Sequence, residues 1–183
     1  MPKWTHVCCH HSWTGDSELP DSVAIHRFHT SFRQYGNIIT EEEYTEKFAA
    51  GERGLLTPWK DTGYQWLLEK LSDGRYYLIQ GRSMMFAGAH CPEAGMNRRG
   101  IGICFIGNFD KAPPPEELVE KGADVISWLC RMYRIPVVNV VAHRDFATYK
   151  SCPGDHFDMD YLRERVSEHL NRWKPSPTQK NTS

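Results

Sequence analysis

Apolar positions recur along this chain with two different periods, and the periods set the elements it is expected to form. Near the start, Thr5-His6-Val7-Cys8-Cys9 reads as a short buried strand that ends at His10-His11-Ser12. Pro20 and Asp21 then open a helix whose apolar face is Ile25, Phe28, Phe32 and Tyr35, at three-and-four spacing. An acidic helix follows Thr40 and runs from Glu41 to Ala50, with Gly51, Gly54 and Pro58 marking the loop beyond it. Tyr64 to Lys70 and Tyr76 to Gln80 flank the turn residues Ser72-Asp73-Gly74, which is a hairpin signal.

The second half continues in the same way. Ile101 to Ile106 is β-rich and is closed by Gly107 and Asn108. Pro113-Pro114-Pro115 precedes a helix with Leu118, Val125, Leu129 and Met132 along its apolar face. Val137 to Ala142 is a continuous apolar run and is read as a central strand. A last helix, from Met159 to Trp173, packs through Leu162, Val166 and Leu170. Strands alternating with helices, plus one hairpin, predict a single-domain α/β fold with a mixed β-sheet flanked by helices. Residues 1–173 form that domain; the polar tail 174–183 has no periodicity and is read as disordered.

Composition narrows the function classes. The chain has 183 residues, 40% hydrophobic and 25% charged, which suits one compact soluble domain. Its formal net charge of −1 gives no reason to expect a nucleic acid or an anionic membrane as partner, although a local basic patch is compatible with it. No apolar stretch approaches the ~20 residues of a membrane span. The Met1-Pro2-Lys3-Trp4-Thr5-His6 start lacks the apolar run of a secretory signal, so a cytoplasmic location is expected. Cys8, Cys9, Cys91, Cys104, Cys130 and Cys152 contain no C-x-x-C pair and are read as free thiols.

Candidate chemistry lies at strand ends. His10 follows the first strand, His143 follows the Val137–Ala142 run, and Cys152 stands in a loop ahead of Pro153-Gly154. Two imidazoles and one thiolate suit Zn²⁺ and leave a fourth tetrahedral position free for water, as catalytic zinc sites do. Each residue alone is more often structural than a ligand, and spacing does not itself bring them together.

Several separated motifs extend the pattern. They are His10-His11-Ser12, Ile25-His26-Arg27-Phe28-His29, Trp59-Lys60-Asp61-Thr62-Gly63-Tyr64, Asp73-Gly74-Arg75, Gly81-Arg82 and Gly88-Ala89-His90. Asn97 ahead of Gly100-Ile101-Gly102-Ile103, then His143-Arg144-Asp145 and Cys152-Pro153-Gly154, complete the order. This series, from His10 to about Arg163, resembles the type 2 N-acetylmuramoyl-L-alanine amidases, which include phage T7-type lysozymes and peptidoglycan recognition proteins.

The resemblance implies one Zn²⁺ per chain held by His10, His143 and Cys152. It also implies a tyrosine near the metal, Tyr64, that orients water or substrate, and a lysine, Lys150, that stabilises the developing oxyanion. The implied activity is hydrolysis of the amide between N-acetylmuramic acid and L-alanine, with bacterial peptidoglycan as partner and a monomer as the working form. A phage or prophage endolysin is the expected setting. The chain departs from the family in a His143–Cys152 interval one residue longer than usual, and in an insertion between Phe32 and Trp59.

Other residues carry weaker expectations. Of His11, His26, His29 and His90, His29 is the first choice for a group that fixes the tautomer of a ligand histidine. Arg98 and Arg99 are candidates to pair with stem-peptide carboxylates, Trp13 and Trp59 to line a groove, and Cys104 to fill the core. Two rivals stand beside the amidase: a non-catalytic peptidoglycan-binding module on the same fold, and a cysteine hydrolase with Cys152 as nucleophile and His143 as base. A nucleobase deaminase is set aside, because the H-x-E and P-C-x-x-C signature of those enzymes is absent.

Overall fold

In a computed structural model, which describes residues 2–14 and 22–172, the chain forms a five-stranded sheet with its helices packed around it. In chain order the elements are β1 (His6–His11), α1 (Ser22–His29), β2 (Phe32–Gln34), β3 (Asn37–Ile39), α2 (Glu41–Ala49), β4 (Leu55–Leu56), β5 (Trp66–Lys70) and β6 (Tyr76–Gln80). Then come α3 (Met96–Arg99), β7 (Gly100–Phe105), α4 (Glu116–Tyr133), β8 (Val140–Ala142) and α5 (Met159–Arg172). The main sheet has the order β6-β5-β7-β1-β8. β1 runs parallel to both β7 and β8, and β5 runs parallel to β7 but antiparallel to its hairpin partner β6. The sheet is therefore mixed, as the alternation of strands and helices together with the hairpin signal requires.

Because side chains alternate across a strand, the two faces of β1 and β7 differ in kind. Val7, Cys9, Ile101, Ile103 and Phe105 point to the face covered by α4 and α5. There they meet Leu118, Ile126 and Leu129 of α4, and Leu162 and Val166 of α5, all buried in one core. Cys8, His10, Gly100, Gly102 and Cys104 belong to the opposite face, with His10 in register with Cys104. The glycines there make room. A Cβ on Gly102 would stand 2.5 Å from Cδ2 of His90, so the imidazole can lie against the sheet only over a residue without a side chain.

Three expectations are corrected. The helix expected to carry Phe32 and Tyr35 stops at His29, where the Thr30 and Ser31 hydroxyls donate to the carbonyls of His26 and Arg27 and satisfy the helix end. Phe32 instead begins β2, and Tyr35 sits in the turn to β3 at φ 49, beside Gly36 at φ 85. The run Val137–Ala142 is not a central strand. Pro136 precedes a short helical turn over Val137–Asn139, Val138 is 75% exposed, and only Val140–Ala142 pairs, at the sheet edge beside β1. Met132 faces outward from α4 rather than lying on its buried side.

The insertion forms a unit of its own. β2, β3 and β4 make a small antiparallel sheet, and α2 follows β3 in sequence from Thr40. The Thr40 hydroxyl accepts from the Glu43 N–H while the Glu43 carboxylate accepts from the Thr40 N–H, a reciprocal cap that fixes the start of the acidic helix. The expected helix start at Pro20 and Asp21, residue Trp173, and the tail 174–183 lie outside the described residues.

Candidate metal centre

His10, the fifth residue of β1, has its imidazole buried on the sheet face away from α4 and α5. His143 opens the short helical turn His143–Asp145 that follows β8, and the Asp145 carboxylate accepts from the Ala142 N–H and closes that turn. Arg144 holds the next loop. Its guanidinium donates to the carbonyls of Ser151, Gly154 and Phe157, and its backbone N–H donates to the carbonyl of Cys152. The three residues of His143-Arg144-Asp145 thus play separate parts, since one offers a free imidazole, the next straps the Cys152 loop and the last caps the turn.

These elements bring His10, His143 and Cys152 together. One candidate ligand atom from each lies within 4.8 Å of the others, all three residues are buried, and Cys152 Sγ is 3.6 Å from His10 Nδ1. The tautomers follow from a carbonyl. Gly100 O can only accept, so His90 Nε2, at 3.1 Å, carries the proton and His90 Nδ1 is bare. His10 Nε2, at 3.0 Å from that nitrogen, must then donate, and the lone pair of His10 Nδ1 is left facing Cys152.

Burial keeps all these groups neutral. It lowers His10 well below the usual histidine range, helped by His90, His143 and Lys150, and it brings His143 down to about 4, with the Lys150 ammonium adding to the effect. Burial also pushes the Cys152 thiol up to about 11. Two bare imidazoles and a thiol that becomes an anion only beside positive charge are the donor set of a thiophilic divalent cation such as Zn²⁺. The residues fit the ion that the resemblance implies.

Two further groupings share these residues: Cys8 with His10 and His90, and Cys91 with Glu93 and His143. The first would have to break both hydrogen bonds of His90, which commit each of its nitrogens.

Tyr64 and Lys150 stand beside the centre. The Tyr64 ring centroid is 5.1 Å from that of His10, and its hydroxyl pairs with the Cys104 thiol. Burial, with the neighbouring thiols, raises Tyr64 well above the usual phenol range, so it remains an O–H donor. Lys150 is exposed, yet its ammonium acts on His10, His143 and Cys152, which sets it on the rim. Beyond Tyr64, a cleft of about 670 Å³ opens between Trp13, Phe28 and Ile38, the last supplied by the insertion. Trp13 is 70% exposed there.

His29 does not reach the centre. Its ring stacks on Trp59 at 4.6 Å, and its Nδ1 accepts from the Gly63 N–H, so it holds the segment that carries Tyr64. His90 is the histidine that touches a candidate ligand. The signal for it was the glycine at positions 88, 100 and 102, where an added Cβ would strike either its ring or Met96. His11 lies on the other face and accepts from Phe109 N–H, while His26 pairs with Asp61 at 3.4 Å. Trp59 packs against His29 and the Arg33 guanidinium. Arg98 and Arg99 precede β7 and line a groove with Pro2, Lys3 and Thr5, at the strand starts, not at the metal centre. Cys104 is buried, as expected, but it also accepts the Tyr64 hydroxyl.

A mixed sheet with a buried thiol–imidazole cluster on one face, beside an open cleft, defines a class of α/β protein built around a candidate metal site. Residues 2–155 match the Amidase_2 family, described as N-acetylmuramoyl-L-alanine amidase, and the chain belongs to it. It is 31% identical over 121 residues to a short peptidoglycan-recognition protein of Drosophila simulans, covering 65% of this chain and 59% of that protein. It is 34% identical over 99 residues to the N-acetylmuramoyl-L-alanine amidase of Mus musculus, covering 53% of this chain and 17% of that one. The chain thus spans under two thirds of the curated relatives it matches. Among solved structures, wild-type PGRP-LB of Drosophila superposes with a TM-score of 0.58 at 21% identity, over 96% of this chain and 88% of that one. The amidase LysC from Clostridium intestinale gives 0.57 at 19% identity, over 90% and 86%.

Proposed function

We propose that this protein is a zinc-dependent N-acetylmuramoyl-L-alanine amidase that hydrolyses the amide joining N-acetylmuramic acid to L-alanine in bacterial peptidoglycan. The observation that carries the reading is the convergence of His10, His143 and Cys152, with His10 Nδ1 bare, beside an open cleft. When bound, Zn²⁺ polarises the scissile carbonyl and lowers the pKa of water to about 7. The chain's own residues do the rest. His90 fixes the His10 tautomer, the Tyr64 hydroxyl orients water or substrate, and the Lys150 ammonium on the rim faces the negative charge that develops on the carbonyl oxygen.

Release of stem peptides from purified sacculi tests this directly. Release that is lost on chelation and restored by Zn²⁺ is expected. Binding to sacculi without cleavage in zinc buffer would replace the enzyme with a recognition module, a reading favoured by the similarity to the Drosophila simulans peptidoglycan-recognition protein. Cleavage that survives chelation would point to Cys152 as a nucleophile instead. We propose the setting of a phage or prophage endolysin, a monomer kept in the cytoplasm until it reaches the wall. Lysis of intact bacteria only after their membrane is permeabilised supports that setting, and strict preference for small soluble muropeptides refutes it.

A further inference from the structure

The turn before α3 carries a carboxylate that the amidase reading leaves unused. Glu93 begins a short helical turn in which the next two residues both take left-handed backbone conformations, Ala94 at φ 49 and Gly95 at φ 70. An alanine in that region is strained and persists only where its surroundings impose it. The turn presents Glu93 to the outer edge of His143. Glu93 Oε1 accepts from the Tyr149 hydroxyl at 2.6 Å, and Oε2 accepts from Cys91 Sγ at 3.4 Å. The same Oε2 lies 3.8 Å from Nε2 of His143. That nitrogen is buried and has no hydrogen-bond partner among the described residues.

We propose that Glu93 is the positioning residue of His143. With the centre loaded, His143 Nε2–H donates to Glu93 Oε2, which requires an approach of about 1 Å to reach ordinary hydrogen-bond length. The bond fixes the ring and leaves Nδ1 as the ligating nitrogen. His90 does the same for His10 with a neutral acceptor in place of a carboxylate. A carboxylate behind a ligand imidazole raises its basicity as well as aiming it. Tyr149, itself 74% exposed, holds the carboxylate in place from outside. Cys91, Glu93 and His143 also have the spacing to hold a cation themselves. That arrangement would make His143 a ligand through both nitrogens, which demands loss of its last ring proton.

The inference rests on the metal-centre reading, and the experiment separates the two. Zinc affinity is measured for the wild type, Glu93→Ala, Glu93→Gln and Tyr149→Phe by competition with a chromogenic chelator. Visible spectra of the Co²⁺-substituted forms and the melting temperatures of the metal-free forms are recorded alongside. Glu93→Ala should lose about 10–100-fold in zinc affinity and shift the Co²⁺ bands, with the metal-free melting temperature unchanged. Glu93→Gln, whose amide oxygen still accepts from Nε2–H, should keep most of the affinity, and Tyr149→Phe should fall between. Glu93→Ala with wild-type affinity and an unaltered spectrum overturns the proposal. So does a wild type that takes up a second equivalent of ion which Glu93→Ala loses. A wild type that binds no zinc removes the metal centre itself, before any variant is compared.

Discussion

His10 Nε2 lies 3.0 Å from His90 Nδ1, and the far nitrogen of His90 is tied to Gly100 O at 3.1 Å. A backbone carbonyl on β7 thereby dictates which nitrogen of a β1 histidine is free. Replacing His90 with Ala leaves His10 Nε2–H buried without an acceptor, at a cost of about 1–3 kcal/mol, and lets the ring turn. Zinc affinity should fall about 10–100-fold, measured by chelator competition. An unchanged affinity would show that His10 is aimed by packing alone.

Gly102→Ala tests the same relay from the sheet side. The new Cβ would meet His90 Cδ2 at 2.5 Å, with the backbone of a buried central strand beneath it. The imidazole must shift, costing about 1–3 kcal/mol as overpacking does, and the His10 contact shifts with it. Both the melting temperature and zinc affinity should drop. A variant that loses stability but binds zinc normally would uncouple the glycine from the centre.

Much of this relay was hidden from a reading of the sequence, and the reasons are physical. The hairpin β5–β6, α2 with its Thr40 cap and α4 after Pro115 are set by local period, turn and cap chemistry, and they stand where the pattern puts them. Phe32 and Tyr35 misled because their spacing continues that of α1, while strands as short as β2 and β3 carry no period of their own. Val137–Ala142 misled because apolar content says nothing about sheet position, and Pro136 with the turn after it delays pairing to the edge. At the site, His10, His143 and Cys152 were readable from residue type at element ends together with the family resemblance. The choice between His29 and His90 was not, because it depends on which ring lies over Gly102 once β1 and β7 are paired.

Tyr64 and Lys150 should separate chemistry from metal binding. Neither belongs to the cluster of candidate ligands, yet one packs near His10 and the other acts electrostatically on the centre. Tyr64→Phe and Lys150→Ala should each retain one zinc per chain by elemental analysis and lose about 10²-fold in kcat on stem-peptide release, the usual loss for a single oxyanion donor. Zinc loss in either variant would move that residue from chemistry to structure. Full turnover in Lys150→Ala would mean that the longer His143–Cys152 interval leaves the ammonium idle.

Away from the site, the packing of α4 on α5 carries an acid-sensitive clasp. Glu120 pairs with Arg165 and lies 3.3 Å from His169 Nε2, and the Arg165 hydrogen bond is the larger cause that brings its carboxyl down to about 2. A carboxyl depressed on folding contributes stability that is complete above its unfolded pKa of roughly 4.3 and is lost as pH falls through its folded value. The wild type should therefore lose melting temperature between about pH 5 and pH 2 by more than Glu120→Gln does, since the amide has no charge to lose. At neutral pH the variant should be the less stable of the two, by a modest amount because the pair is partly exposed to solvent. Parallel pH profiles of the two proteins would reject the clasp as a source of the acid sensitivity.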